Sequence, residues 1–210
     1  MTITHRPTLD LGAVQKIRKV AVLAALLGLV GLALVTQSIG GTDGEWHEHV
    51  ETAGFVAIIL SIVGRAWCSL YIGGRKKAEI VDRGPYSVTR NPLYVFSFIG
   101  AFGIGAQNGS VTIAVGFVLA AMAVFYLTVR REEAFLEREF GGVYAAYKVR
   151  TPRFWPRLSL WRDEDQLTIR PSLFVTTIRD GLAFLLAIPI FELIDAGQAA
   201  GWLHVIAHLP

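Results

Sequence analysis

Cysteine is almost missing. Cys68 is the one thiol in 210 residues, which excludes an internal disulfide framework and any metal site made of several cysteines. Charge is scarce as well: Asp, Glu, Lys and Arg make up 18 % of the chain, against about a quarter in soluble domains. That is too little to coat a water-facing surface. A net charge of +3 supports a nucleic-acid surface only where basic residues cluster. They do cluster here, but in the pattern of a membrane protein, so no nucleic-acid partner is expected. Internal repeats and low-complexity segments are absent. Apolar residues are abundant, at 53 % with a mean hydropathy of +0.47, which excludes a disordered chain. The length fits one domain or two small ones.

A helix needs about 20 apolar residues to cross a bilayer. Val20 to Ile39 carries no charge, and Ala53 to Gly74 carries only Arg65. Leu93 to Gln107 is charge-free but short, and Ser110 to Val129 is charge-free at full length. Ser172 to Ile194 holds Arg179, Asp180 and Glu192; this fifth segment alternatively runs from Gly181 toward Leu203 or is re-entrant. The fold class expected is therefore an all-α, polytopic membrane bundle of about five transmembrane helices. The first run is too long for the apolar stretch of a cleaved signal peptide and lacks a nearby Ala-x-Ala site.

Lys16, Arg18 and Lys19 precede the first run, Arg75, Lys76, Lys77, Arg83 and Arg90 follow the second, and a basic stretch from Arg130 to Arg170 follows the fourth. Gly40 to Thr52, Asn108-Gly109 and the tail after Ile194 contain no Lys or Arg. The positive-inside rule then puts the N-terminus and both basic loops in the cytosol.

Spans three and four read as a hairpin. Asn91-Pro92 is a helix start, with Asn as a potential cap and Pro tolerated in the first turn, and Gln107 to Ser110 is the turn. Gly100, Gly103 and Gly105 let a neighbouring helix approach closely. They also fit Gly-x-x-Gly-x-Gly, but no strand precedes them, so helix packing is the reading. Span four continues without a stop into Arg130-Arg131-Glu132-Glu133 and breaks at Gly141-Gly142, a natural C-terminal cap. Tyr144, Tyr147 and Phe154-Trp155-Pro156 then suit the headgroup layer. This divides the chain into 1–74 (two helices), 75–157 (core) and 158–210 (connector and last membrane segment).

The hairpin brings Arg75 to Tyr94 and Arg130 to Pro156 to one mouth. The helix starting at Pro92 points its amides there, a favourable place for an anion. Glu132 and Glu133 sit at the C-terminal end of the partner helix, where the macrodipole disfavours carboxylates unless a cation faces them. Arg130, Arg131 or a bound ligand are candidates for that cation. A ligand with both a carboxylate and a cation suits these groups.

The run Gly84-Pro85-Tyr86-Ser87-Val88-Thr89-Arg90-Asn91-Pro92-Leu93-Tyr94, followed one hairpin later by Glu132-Glu133-x-x-Leu136 and Phe140-Gly141-x-x-Tyr144-x-x-Tyr147, resembles the isoprenylcysteine carboxyl methyltransferase and phospholipid methyltransferase family of integral membrane enzymes. The resemblance covers residues 73 to 157. It implies a methyltransferase that takes S-adenosylmethionine as methyl donor, releases S-adenosylhomocysteine, and binds the donor at the cytosolic helix ends. The positions that would contact it are Ala78, Glu79, Ile80, Val81, Tyr86, Asn91, Pro92, Leu93, Tyr94 and Glu132, with Arg90 beside them. Many members read Arg-His-Pro where this chain has Arg90-Asn91-Pro92; Asn does not titrate near neutral pH, so only a positioning role survives at Asn91.

Glu132, Glu133 and Arg131 are the candidate catalytic residues. The sulfonium can be met by Glu132 and by the faces of Tyr86 or Tyr94. A carboxylate acceptor is already ionised, whereas an amine would need a base, a role open to Glu133. The acceptor expected is lipophilic, reaching the site sideways from the bilayer, most like an isoprenylcysteine carboxylate, with a phospholipid amine or a small thiol or acid as alternatives. The compartment implied is the inner membrane of a prokaryote or the endoplasmic reticulum of a eukaryote. A transporter or scaffold on the same hairpin is the reading from another class. Arg65 either serves the site or pairs within the bundle. His47, His49, His204 and His208 read as solvated interfacial residues despite their i, i+4 spacing, and Cys68 as a small buried hydrophobe. Trp46, Trp67, Trp155, Trp161 and Trp202 read mostly as interfacial anchors.

Overall fold

A computed structural model describes residues 11–39, 41–42, 44–75 and 78–210, with only the backbone for residues 11–19 and 22. Lys76 and Lys77 of the basic loop, and the side chains of Lys16, Arg18 and Lys19, lie outside the described residues. The described elements are α1 (Leu11–Val35), β1 (Thr36–Ser38), α2 (Glu45–Ile72), α3 (Pro85–Val88), α4 (Pro92–Ala106), α5 (Val111–Arg150), α6 (Pro171–Leu182), α7 (Ala187–Ala199) and β2 (Ala207–Leu209). The chain is an all-α membrane bundle. Among the described residues, Glu45–Ile72, Val111–Arg150 and the run Pro171–Ala199 are long and apolar enough to cross a membrane, and Leu23–Val35 and Pro92–Ala106 are shorter apolar helices.

The hairpin of α4 and α5 forms at the expected turn. Ser110 caps α5 by accepting a hydrogen bond from the amide of Ile113, which satisfies one of the amides a helix start leaves unpaired. With 15 residues, α4 rises only about 22 Å, and it lies between α2 and α5. It runs antiparallel to α2, with Gly103 and Ala106 against Gly54 and Ile58 at one end and Phe96 against Gly64 toward the other. A Cβ on Gly103 would sit 2.7 Å from the carbonyl oxygen of Gly54. Backbone on the far side cannot yield as a side chain would, so Gly103→Val is expected to cost about 3 kcal/mol and to lower the melting temperature of the purified protein markedly. An unchanged melting temperature would contradict this packing.

Several boundaries differ from the sequence expectation. The first apolar run leaves the helix at Val35, and Thr36–Ser38 pairs in parallel with Ala207–Leu209. Gln198 of α7 donates its side-chain amide to the carbonyls of Ala33, Leu34 and Thr36, satisfying acceptors that the end of α1 leaves over. Helix α2 starts at Glu45, inside what reads as a loop, with Glu45 and Glu48 in its first turn where the macrodipole favours acids. The fifth segment is helical throughout 171–199 but tightens to a 3-10 turn at Ala183–Leu186. Pro189 offers no amide and its ring crowds the carbonyl four residues back, at Leu185, which accounts for the tightening.

Gly141 does interrupt α5, with φ 49° and ψ −120°, but the chain re-enters the helix and continues to Arg150. The reason is burial: Tyr144 and Tyr147, three residues apart on one face, are 1 % and 5 % exposed. These two tyrosines are core rather than headgroup anchors, which corrects the sequence reading. Trp155 by contrast stays exposed.

Candidate active site

The polar end of the bundle is built by two segments that clasp each other. Gly84 donates its amide to the carbonyl of Arg162 over 2.7 Å, Arg157 donates to Val88, and Arg90 donates to Pro152. Side chains reinforce the clasp: the Tyr147 hydroxyl donates to the Tyr86 carbonyl, Thr89 and Asn91 donate to the Arg153 carbonyl, and Ser87 accepts from the amide of Arg162. Gly84 has φ 53°, and any Cβ there would run into the ring of Tyr71, so the turn needs glycine on both counts. Asp82 is held by Arg150 at 2.6 Å and Arg162 at 3.3 Å.

An ion triad sits under this clasp. Glu133, 5 % exposed, accepts from Arg90 at 3.1 Å and from Arg153 at 2.5 Å. Arg90 also donates to the carbonyls of Lys148 and Thr151. The carboxylate bond to Glu133 holds the Arg153 guanidinium even more firmly protonated than usual. The cations that face Glu133 are thus supplied by distant segments. Arg130 instead donates to the hydroxyl of Tyr126 at 3.0 Å and stacks over its ring, and Arg131 is exposed.

Next to the triad, Glu132 accepts a 3.1 Å hydrogen bond from the hydroxyl of Tyr94. Tyr94 lies in the first turn of α4, so this carboxylate is held beside a helix N-terminus. Asn91 occupies the cap position, but its side chain makes no capping bond and is spent on Arg153 instead; Pro92 takes N1. Tyr86 is buried, packed with Cys68, Tyr71 and Val81. That burial, helped by the charge of Glu132, pushes its phenol well above the ordinary tyrosine range. Val81 is buried, Ile80 half-buried, and Ala78 and Glu79 exposed, with Glu79 paired to Arg75 at 3.3 Å. Tyr86, Arg90, Asn91, Pro92, Tyr94, Glu132 and Glu133 therefore share one end of the bundle, while Ala78, Glu79 and Arg131 face outward.

A groove of about 240 Å³ opens beside this end, lined by Phe98, Met122, Ala123, Tyr126 and Phe154. Rings link it to the polar residues: Phe125 lies 5.2 Å from Tyr94 and 6.4 Å from Phe98, and Phe98 lies 5.9 Å from Phe154. The sequence reading missed Phe98, Met122, Ala123 and Tyr126 and put Phe154 in the headgroup layer, although Tyr94/Phe98 and Met122/Tyr126 both carry the i, i+4 spacing of one helical face. Arg65 donates to the Ser97 hydroxyl and stacks 5.5 Å over Phe184, one turn inward from Tyr94. Cys68 is buried. Among the histidines, His49, His204 and His208 are exposed, but His47 is only 3 % exposed, which corrects its reading as a solvated residue.

Comparison with known proteins bears on what this arrangement does. The phospholipid methyltransferase family matches residues 52–142, a stretch containing most of α2, the Tyr86 turn, all of α4, α5 as far as Gly142, and both glutamates. The nickel-cobalt-cadmium resistance protein NccN of Alcaligenes xylosoxydans xylosoxydans is 33 % identical over 214 residues, covering 100 % of both chains. The cobalt-zinc-cadmium resistance protein CzcN of Cupriavidus metallidurans is 39 % identical over 168 residues, 80 % of this chain and 77 % of that one. No solved structure matches the chain.

Proposed function

Because this chain belongs to the phospholipid methyltransferase family, we propose that it moves a methyl group from S-adenosylmethionine to a lipophilic acceptor at the Tyr94–Glu132 end of the bundle. The observation that carries this reading is the adjacency of a polar mouth and an apolar groove. Glu132 and Tyr94 stand at the start of α4, and the Tyr94 ring leads through Phe125 and Phe98 to the groove under Met122 and Tyr126.

The residues fit the donor. Glu132 offers a carboxylate to its sulfonium and Tyr94 an aromatic face; the sequence expectation of an anion site at the start of α4 is not met by the Tyr94 and Val95 amides, which both donate to the Asn91 carbonyl. When bound, the donor supplies an activated methyl on a positively charged sulfur. The protein's part is to align the acceptor's nucleophile behind that methyl and to exclude water, since positioning alone supplies much of the rate in such a displacement. Tyr94 orients Glu132, and the Arg90–Glu133–Arg153 triad fixes the backbone that carries both.

Both oxygens of Glu133 are engaged by guanidinium groups. We therefore read Glu133 as a positioning residue and not as a general base, and Arg131 as having no contact with the reacting groups. With Glu133 tied to two arginines, the acceptor that suits this site needs no proton removed: a lipophilic carboxylate of the isoprenylcysteine type rather than a phospholipid ammonium. The absence of Lys and Arg from residues 20–64, 91–129 and 180–210 supports a cytosolic position for the polar end. The end-to-end similarity to a nickel-cobalt-cadmium resistance protein supports a setting for this reaction in the cell's handling of transition-metal stress.

Membranes carrying the protein, incubated with methyl-labelled S-adenosylmethionine, are expected to yield label in the organic extract as a base-labile ester. No label above that in empty membranes would overturn the reading, and base-stable label on a phospholipid amine would overturn the choice of acceptor. Met122→Trp is expected to fill the groove and raise KM for the acceptor about tenfold or more, at a cost of roughly 1–3 kcal/mol in acceptor binding. S-adenosylmethionine binding should be unaffected; equal weakening of both ligands would show that the groove is not the acceptor's route.

A further inference from the structure

At the end of the bundle remote from Glu132, His47 and Glu51 of α2 meet Asp195 of α7. His47 Nε2 lies 3.2 Å from a Glu51 oxygen and 3.4 Å from an Asp195 oxygen, and the three donor atoms all fall within 4.8 Å of one another. The imidazole is 3 % exposed, and its Nδ1 has no hydrogen-bond partner, so His47 engages polar neighbours through Nε2 alone. Its other side packs on Gly109, where any Cβ would overlap the ring.

Charge sets this cluster apart from an ordinary ion pair. An imidazolium between two carboxylates leaves one negative charge uncompensated in a largely buried place, and burying unpaired charge is costly. No lysine or arginine occurs in residues 20–64, 91–129 or 180–210, the stretches that build this end. Arginine or lysine therefore cannot serve here as the counter-charge. A divalent cation with a neutral imidazole and two carboxylates sums to zero.

From this geometry we propose that His47, Glu51 and Asp195 form a binding site for a divalent transition-metal ion of the zinc or cobalt class. A metal about 2.1 Å from each donor would see the His47–Glu51 and His47–Asp195 pairs at roughly 100–110°, close to tetrahedral. One imidazole with two carboxylates matches borderline ions, whereas magnesium and calcium take oxygen donors alone. Three protein ligands leave a fourth position for water or a further donor. The site is independent of the methyl-transfer reading, since it lies at the opposite end of α2 and α4 and shares no residue with the Tyr94–Glu132 mouth.

The test is a Co2+ titration of the purified full-length protein in detergent after chelator treatment, followed by its visible absorption. One Co2+ per chain with intense ligand-field bands is expected. Glu51→Gln and Asp195→Asn should each weaken binding at least about tenfold, with helicity checked by circular dichroism. A variant carrying His5→Ala, His49→Ala, His204→Ala and His208→Ala together should still bind one ion. Wild-type protein that binds no Co2+, variants of Glu51 and Asp195 that bind normally, or loss of binding in the four-histidine variant would each overturn the proposal. Should the carboxylate variants fail to fold, X-ray absorption of Zn2+-loaded wild type decides. One imidazole among oxygen neighbours is expected, and two or more would contradict the assignment.

Discussion

Arg90→Ala is expected to lower the melting temperature of the purified protein by about 10 °C and to abolish methyl transfer. Arg90 ties together three groups: it bonds Glu133 through Nε and Nη2 and donates to the carbonyls of Lys148 and Thr151. The Arg90 and Glu133 side chains are 9 % and 7 % exposed. Removing one member of such a buried pair typically costs about 3–5 kcal/mol, and each kcal/mol shifts the melting point of a chain this size by about 2–4 °C. Arg153 remains on Glu133, but it is 39 % exposed and serves none of those carbonyls through its guanidinium. Arg90→Lys is an informative companion: an ammonium on a flexible stem cannot reproduce the planar fork, so stability should recover only in part. Wild-type melting and wild-type activity in Arg90→Ala would show that the clasp is held elsewhere.

Glu132→Gln is expected to act in the opposite way, on chemistry and not on folding. The substitution keeps the shape and an oxygen that can accept from Tyr94, and Glu132 is only half-buried, so the melting temperature should move little. Loss of the charge opposite a sulfonium should weaken donor binding about 10- to 100-fold, the range for a hydrogen-bonded charged group. Tyr94→Phe should produce a smaller loss in the same direction, because it removes one hydrogen bond to Glu132 without discharging it. Normal donor affinity in Glu132→Gln would remove Glu132 from the site.

How much of this was readable beforehand depends on the range of the interaction. Pro92, the Gln107–Ser110 turn and the glycines of α4 are local signals, and the hairpin formed where they put it. Gly141 signalled a break correctly, but whether the chain resumes its helix depended on the burial of Tyr144 and Tyr147 by remote segments. From the sequence, the cation facing Glu132 and Glu133 reads as Arg130, Arg131 or a bound ligand, the two arginines being adjacent in the chain. For Glu133 the actual partners, Arg90 and Arg153, come from other segments of the fold. Likewise His47 reads as a loop residue until Asp195, far along the chain, is folded beside it. The parallel pairing of Thr36–Ser38 with Ala207–Leu209 has no local signature at all, since each strand is three residues of unremarkable composition.

Isothermal calorimetry of S-adenosylmethionine binding to the detergent-purified protein tests the central claim most directly. One site per chain is expected, with an affinity that falls about 10- to 100-fold in Glu132→Gln and is unchanged in Met122→Trp. A helical, monodisperse protein that gives no heat of binding, or a Glu132→Gln variant that binds as tightly as wild type, would contradict it.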